Sequence, residues 1–113
     1  MKYSTENRLF LIDLLPKFVS ELKQLLEEQG EPELAAQVPG LLVLDRCRCK
    51  DEICATFYTQ TRPEGGYGSG HRNVRLMPNE GTLLILDVVD GQIMCVEVLD
   101  REDVREKLDA VIP

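Results

Sequence analysis

Much that would advertise a function is missing from this chain. No apolar run approaches the ~20 residues a membrane span requires, and the start MKYSTENRLF has no basic stretch leading into a long apolar one, so no signal peptide is expected. There is a single histidine, His71, and no serine, histidine and acid grouping that would support nucleophilic catalysis. No C-x-x-C opens a helix, which argues against thioredoxin-like chemistry. No lysine-serine pair or helix follows the glycine run, which excludes a P-loop or dinucleotide fingerprint. Positive charge is scarce as well: 13 basic against 20 acidic residues give a net charge of −7, which disfavours nucleic acid and anionic membrane as partners. These absences describe a cytoplasmic protein with no membrane association. In a reducing compartment its four cysteines are thiols or metal ligands rather than structural disulfides.

What is present is one ordinary domain. The length of 113 residues and an apolar fraction of 43% suit a single core spanning 1–113. Ser4 or Thr5 can cap a helix over about 5–14 whose apolar positions recur every three to four residues through Leu11, Leu15, Phe18, Leu22 and Leu26. Pro16 interrupts it, so either a kink or a second helix over about 16–29 is predicted, with Gly30 as the stop. Pro32 can open a further turn within 31–38. Strands follow at 41–47, 53–59 and 73–77, rich in β-formers and separated by polar or glycine-dense links. A helix over 101–112 closes the chain, with Asp100 as its cap and Leu99 and Val104 as a hydrophobic staple. The expected fold is α+β: a helical part over 4–38, a five-stranded antiparallel meander over 41–99, and the closing helix.

The strongest local signal is Asp90-Gly91 between two apolar runs in TLLILDVVDGQIMCVEVLD. A type I′ turn needs positive φ at both central residues, which Asp tolerates and Gly adopts freely. Regular pairing from that turn sets Val88 opposite Ile93, Leu86 opposite Cys95 and Leu84 opposite Glu97 on one face. Asp87 with Met94, Ile85 with Val96 and Leu83 with Val98 then share the other. Both faces read as apolar, so the helices are expected on opposite faces, or else one face is a dimer surface. In this register Asp87 and Glu97 point apart and form no acid–base pair.

Two groups of residues can carry chemistry. Cys47, Cys49 and Cys54 form a C-x-C-x4-C pattern across a predicted hairpin. Period-two alternation puts the first two on one side, and the turn returns the third to them. With His71 they supply the four N or S ligands of a tetrahedral zinc site. Free or buried thiols are the plainer reading of the same residues, and Arg46, Arg48 and Lys50 beside them would favour thiolates. The second group is the loop 61–71 with the adjoining Arg72, where Arg62, Gly68, Gly70, His71 and Arg72 can cradle an anion with exposed amides and cations. It lies in a basic middle third: between Arg46 and Arg75 six basic residues face three acidic ones, about +3, leaving about −10 elsewhere. Its plainer reading is a connection that simply needs glycine.

The segment CRCKDEICATFYT, then GHRNV, then EGTLLILDVVDGQIMCVEVLD resembles a family of small bacterial proteins of unknown function. The resemblance implies a bacterial cytoplasmic protein and brings no activity or site residues with it. Three functions remain open. The first is a non-enzymatic interaction or regulatory module, a homodimer with a further protein partner, resting on the surplus apolar surface and needing no cofactor. The others are a zinc-binding module at the cysteine hairpin and a small anion-binding protein or enzyme at the glycine loop.

Overall fold

The computed structural model describes residues 9–61, 63, 65–78 and 82–113. The predicted cap at Ser4 or Thr5, Arg62 of the glycine loop, and the turn at 79–81 lie outside the described residues.

The chain opens with one helical turn, α1 (Leu11–Leu14), and a longer α2 (Pro16–Glu28) that begins on the proline. Proline suits the first helical position, where its missing N–H is not needed. Phe18, Val19, Leu22 and Leu26 are the buried stripe of α2. Gly30, at φ +82, ends it in a double closure: its amide donates to Glu27 O and that of Glu31 to Leu26 O, the Schellman pattern that glycine permits. Helix α3 (Pro32–Gln37) and a 3-10 turn over Val38–Gly40 lead to the first extended segment.

That segment is divided. Leu41–Val43 pairs with the stretch before α1 (Leu11 N to Leu41 O 2.9 Å, Val43 N to Leu9 O 2.8 Å), and only β1 (Asp45–Arg46) joins the sheet. The other strands are β2 (Phe57–Tyr58), β3 (His71–Leu76), β4 (Leu84–Val89) and β5 (Gln92–Val98). All pairs are antiparallel, but the order is β1-β2-β5-β4-β3. The β3–β4–β5 meander is therefore entered from its far edge, and the glycine-rich connection after β2 carries the chain across. That connection packs closely where it meets the hairpin. The Gly70 carbonyl accepts the Asp90 amide, and a Cβ on Gly70 would lie 2.2 Å from Asp90 Oδ1.

The Asp90-Gly91 turn forms as the residues dictate, with φ of 49° and 82°. Beyond it the regular register fails. Val88 faces Ile93, but Asp87 faces Cys95, so Met94 is an extra residue, a β-bulge. Its physical support is Thr59, fully buried on the next strand: the amide donates to Met94 O at 3.0 Å and the hydroxyl to Ile93 O at 2.8 Å. Gln37 completes the clamp, donating to Gly91 O and accepting from Ile93 N. One extra residue reverses the phase of every later side chain. Leu86 meets Val96 and Leu84 meets Val98 in the core, while Ile85 meets Glu97 on the other face. Asp87 and Glu97 thus share a face, contrary to the pairing expected from regular alternation.

The core face carries Phe57, Val74, Leu76, Leu84, Leu86, Val88, Ile93, Val96 and Val98 in one cluster with Phe18, Leu22, Leu26, Leu34, Val104 and Leu108. The first and last helices therefore cover the same face of the sheet, not opposite ones. Helix α4 (Glu102–Val111) starts at Arg101, with Asp100 at φ +60 and no side-chain cap, so the expected Asp100 cap is not made. Val104 is buried but Leu99 stays exposed. What fixes α4 instead is Arg101, which forks onto Glu21 at 2.9 Å through both Nη atoms and lies 5.3 Å over the Phe18 ring. Among the described residues, no helix is long and apolar enough to cross a membrane.

Candidate metal centre

The cysteine hairpin folds from short-range bonds. Cys47 N donates to Thr56 O at 2.8 Å, extending the β1–β2 pairing by one step. Asp51 then turns the chain: its carboxylate accepts Ile53 N at 3.1 Å and its carbonyl accepts Cys54 N at 3.2 Å, the backbone capture that makes Asp a turn former. The far side is held by β5, through the Cys54–Leu99 bridge and Asp100 N to Ile53 O at 2.8 Å.

This places the Sγ atoms of Cys47, Cys49 and Cys54 all within 4.8 Å of one another. All three are free thiols; Cys49 is exposed and the other two are half-buried. Burial penalises the Cys54 thiolate, but the hydroxyl and amide of Thr56 and the two sister thiols donate to it, and together they bring its pKa below the usual thiol value. The backbone of Asp51 favours the Cys49 thiolate, but its bonds with Cys54 and Cys47 outweigh that and raise it. The Thr56 hydroxyl and amide and the neighbouring thiols are the donors that stabilise the Cys54 thiolate.

The flanking arginines are committed elsewhere. Arg48 Nη2 binds Asp45 Oδ1 at 2.9 Å and its Nη1 donates to Pro113 O at 2.9 Å. Arg46 Nε donates to Ile112 O, and its Nη1 is 3.6 Å from Asp109. Arg105 Nη1 donates to Asp51 O at 3.1 Å. These contacts tie the thiol hairpin to α4.

His71 is not brought to the thiols. It begins β3, at the edge of the sheet opposite β1, on the order of 15–20 Å away at ~4.8 Å per strand. Its Nε2 lies 2.8 Å from Asp87 Oδ1, and its ring stands 4.9 Å from that of Tyr67. Of the residues considered for an anion, Arg72 forks onto Glu31 through two bonds of 3.0 Å. That pair holds the Glu31 carboxyl below its usual value. Gly68 is exposed at φ +88 and Gly70 packs on Asp90. Arg72 is thus neutralised by a carboxylate, and His71 is hydrogen-bonded to another.

The bulge assembles a second group that alternation in the sequence does not reveal. On the face not covered by helices, Asp45, Tyr58, Cys95, Asp87 and Asn73 form one row across the sheet. Asp87 is buried between His71 and Glu97. Its bond to Glu97, followed by burial and its charge, raises the Glu97 carboxyl to about 7. Burial, followed by the charges of Asp87 and Glu97, pushes the Cys95 thiol far up, so Cys95 is inert. The available signal was an acid within each apolar run; the missing fact was the phase shift between them.

Two clefts of about 430 and 500 Å³ lie along the helices on either side of Arg101, and only the second is lined mainly by acidic residues. Neither is lined by a cysteine. No protein-family model matches the chain, and neither a curated protein nor a solved structure does.

Proposed function

We propose that this chain is a metal-binding module whose centre is the three thiols of Cys47, Cys49 and Cys54. The supporting observation is their mutual approach to within 4.8 Å. Zinc–thiolate bonds of ~2.3 Å set neighbouring sulfurs about 3.8 Å apart in a tetrahedron, so closing on an ion needs only side-chain adjustment. Thr56 prepares one thiolate and a soft cation displaces the remaining protons, so uptake releases protons and weakens as pH falls. Zinc is the default divalent occupant for such ligands.

The test is metal uptake by untagged, reduced protein with thiol titration before and after chelation. About one zinc per chain, with three thiols freed by the chelator, is the expected result, and serine at Cys47, Cys49 or Cys54 should abolish it. Four thiols that titrate identically with and without zinc would remove zinc as the occupant, and the same outcome with every thiophilic ion would refute the reading. An interaction role is a second reading, favoured by the exposed Ile53 and Leu99 next to the thiol hairpin. A sedimentation profile of a single monomer at micromolar concentration, with and without zinc, would remove its homodimeric form.

A further inference from the structure

We infer that the thiol centre is built for a trivalent ion that stops at three sulfurs, the arsenite and antimonite class, rather than for tetrahedral zinc. This rests on the metal-binding reading and specifies its occupant.

The first argument is ligand count. Among the described residues, no histidine or carboxylate has a ligand atom grouped with the three sulfurs. Two of the nearby acids are already used, and exposed Glu52 is not grouped with the sulfurs. Asp45 accepts from Arg48 and from the Arg46 amide, and Asp51 accepts the Ile53 amide through its carboxylate and Arg105 through its carbonyl. His71 is held by Asp87 across the sheet. Zinc here would need a fourth ligand from outside the described residues, whereas a three-coordinate ion would not.

The second argument is charge. Three thiolates on a divalent ion leave one negative charge for the surroundings to bear. Arg46 and Arg48 flank Cys47, but they are spent on Ile112 O, Asp109, Asp45 and Pro113 O, which leaves exposed Lys50 beside Cys49 to offset it, in a chain of net charge −7. Three thiolates on a trivalent ion are neutral and ask nothing of the surroundings. The chemistry balances without a redox step: arsenous acid, As(OH)3, exchanges its three hydroxyls for three thiolates, each thiol proton leaving with a hydroxyl as water. Exposed Cys49 offers the first contact and half-buried Cys47 and Cys54 complete the set.

The test gives reduced protein equimolar sodium arsenite and zinc chloride, read by native mass spectrometry and thiol titration. One arsenic per chain, with three thiols lost and the arsenic form at least tenfold over the zinc form, is expected. C47S, C49S and C54S, each checked for folding by circular dichroism, should each lose arsenic retention. Zinc dominating the competition, or arsenic consuming only two thiols, overturns the inference and leaves the metal-binding reading standing. So does zinc bound at one per two chains in a dimer. Uptake of neither ion overturns both.

Discussion

Replacing Glu97 with glutamine should flatten the dependence of stability on pH between 5 and 7.5. In the folded chain Glu97 holds its proton up to about 7, chiefly through its bond to Asp87 and then through burial, whereas its ordinary value is 4.5. The folded state therefore binds more protons than the unfolded state between these values. Stability from this group is complete below about pH 4.5 and is lost as pH rises through about 7. At 1.36 kcal/mol per pK unit the interval sets a ceiling of ~3 kcal/mol. Glu97 is only partly buried, and solvent screening brings the expected effect to on the order of 1 kcal/mol. For a domain of this size that is about 4 °C in melting temperature. The groups facing Glu97 are Asp87 and Cys95, with His71 on the far side of Asp87. D87N should thus remove the same slope, because it deletes the charge that holds the proton. The assay is thermal unfolding of wild type, E97Q and D87N at pH 5.0 and 7.5 in constant ionic strength. Wild type should melt about 4 °C higher at pH 5.0, with the difference reduced by at least half in both variants. An E97Q protein that keeps the full difference would refute the shared proton, and with it the bulged register that brings the two carboxyls together.

Other outcomes follow from single residues. T56V deletes the hydroxyl that donates to Cys54; thiolate absorbance should then appear at higher pH, and zinc affinity at neutral pH should fall by about tenfold, the lower end of second-sphere effects. F57A removes a fully buried ring and its edge-on contact with Phe18 at 6.3 Å, at a cost of about 3–5 kcal/mol by denaturant titration. G91A must hold φ near +82 with a side chain and should cost about 1 kcal/mol. G70A should cost less than G91A, because only the mobile Asp90 carboxylate stands in its way.

Features decided by the local chain were legible in the sequence. Pro16, Gly30 and Asp90-Gly91 each constrain their own backbone, and each does what its chemistry requires. The approach of Cys54 to Cys47 and Cys49 is likewise a matter of alternation and one short turn. Features decided by distant partners were not legible. Leu41–Val43 has strand chemistry, but its hydrogen bonds go to the segment before α1. The order β1-β2-β5-β4-β3 depends on where a glycine-rich connection ends. His71 looked like a ligand because it is the lone histidine, yet a buried carboxylate on the adjacent strand takes it. The Asp87–Glu97 contact was hidden for the same reason: Thr59, some 35 residues upstream in the chain, decides it.

Deleting Met94 tests that last point directly. Removing a residue from the middle of a central strand ordinarily reverses the phase of everything beyond it and exposes the core. Here the extra residue is already out of phase. Without it, Ile93 still faces Val88 and the next residue still faces Asp87, so Val96 and Val98 remain opposite Leu86 and Leu84. The losses are the bonds Thr59 makes to the bulge carbonyls, for which an unsatisfied buried group costs about 1–3 kcal/mol. The deletion should therefore fold with a native circular dichroism spectrum and a stability loss in that range, similar to that of T59V. Deleting Ile85, which is paired without a bulge, should abolish folding. If the Met94 deletion unfolds as completely as the Ile85 deletion, the bulge does not set the register. The grouping of Asp87, Glu97 and Cys95 on one face then loses its physical cause.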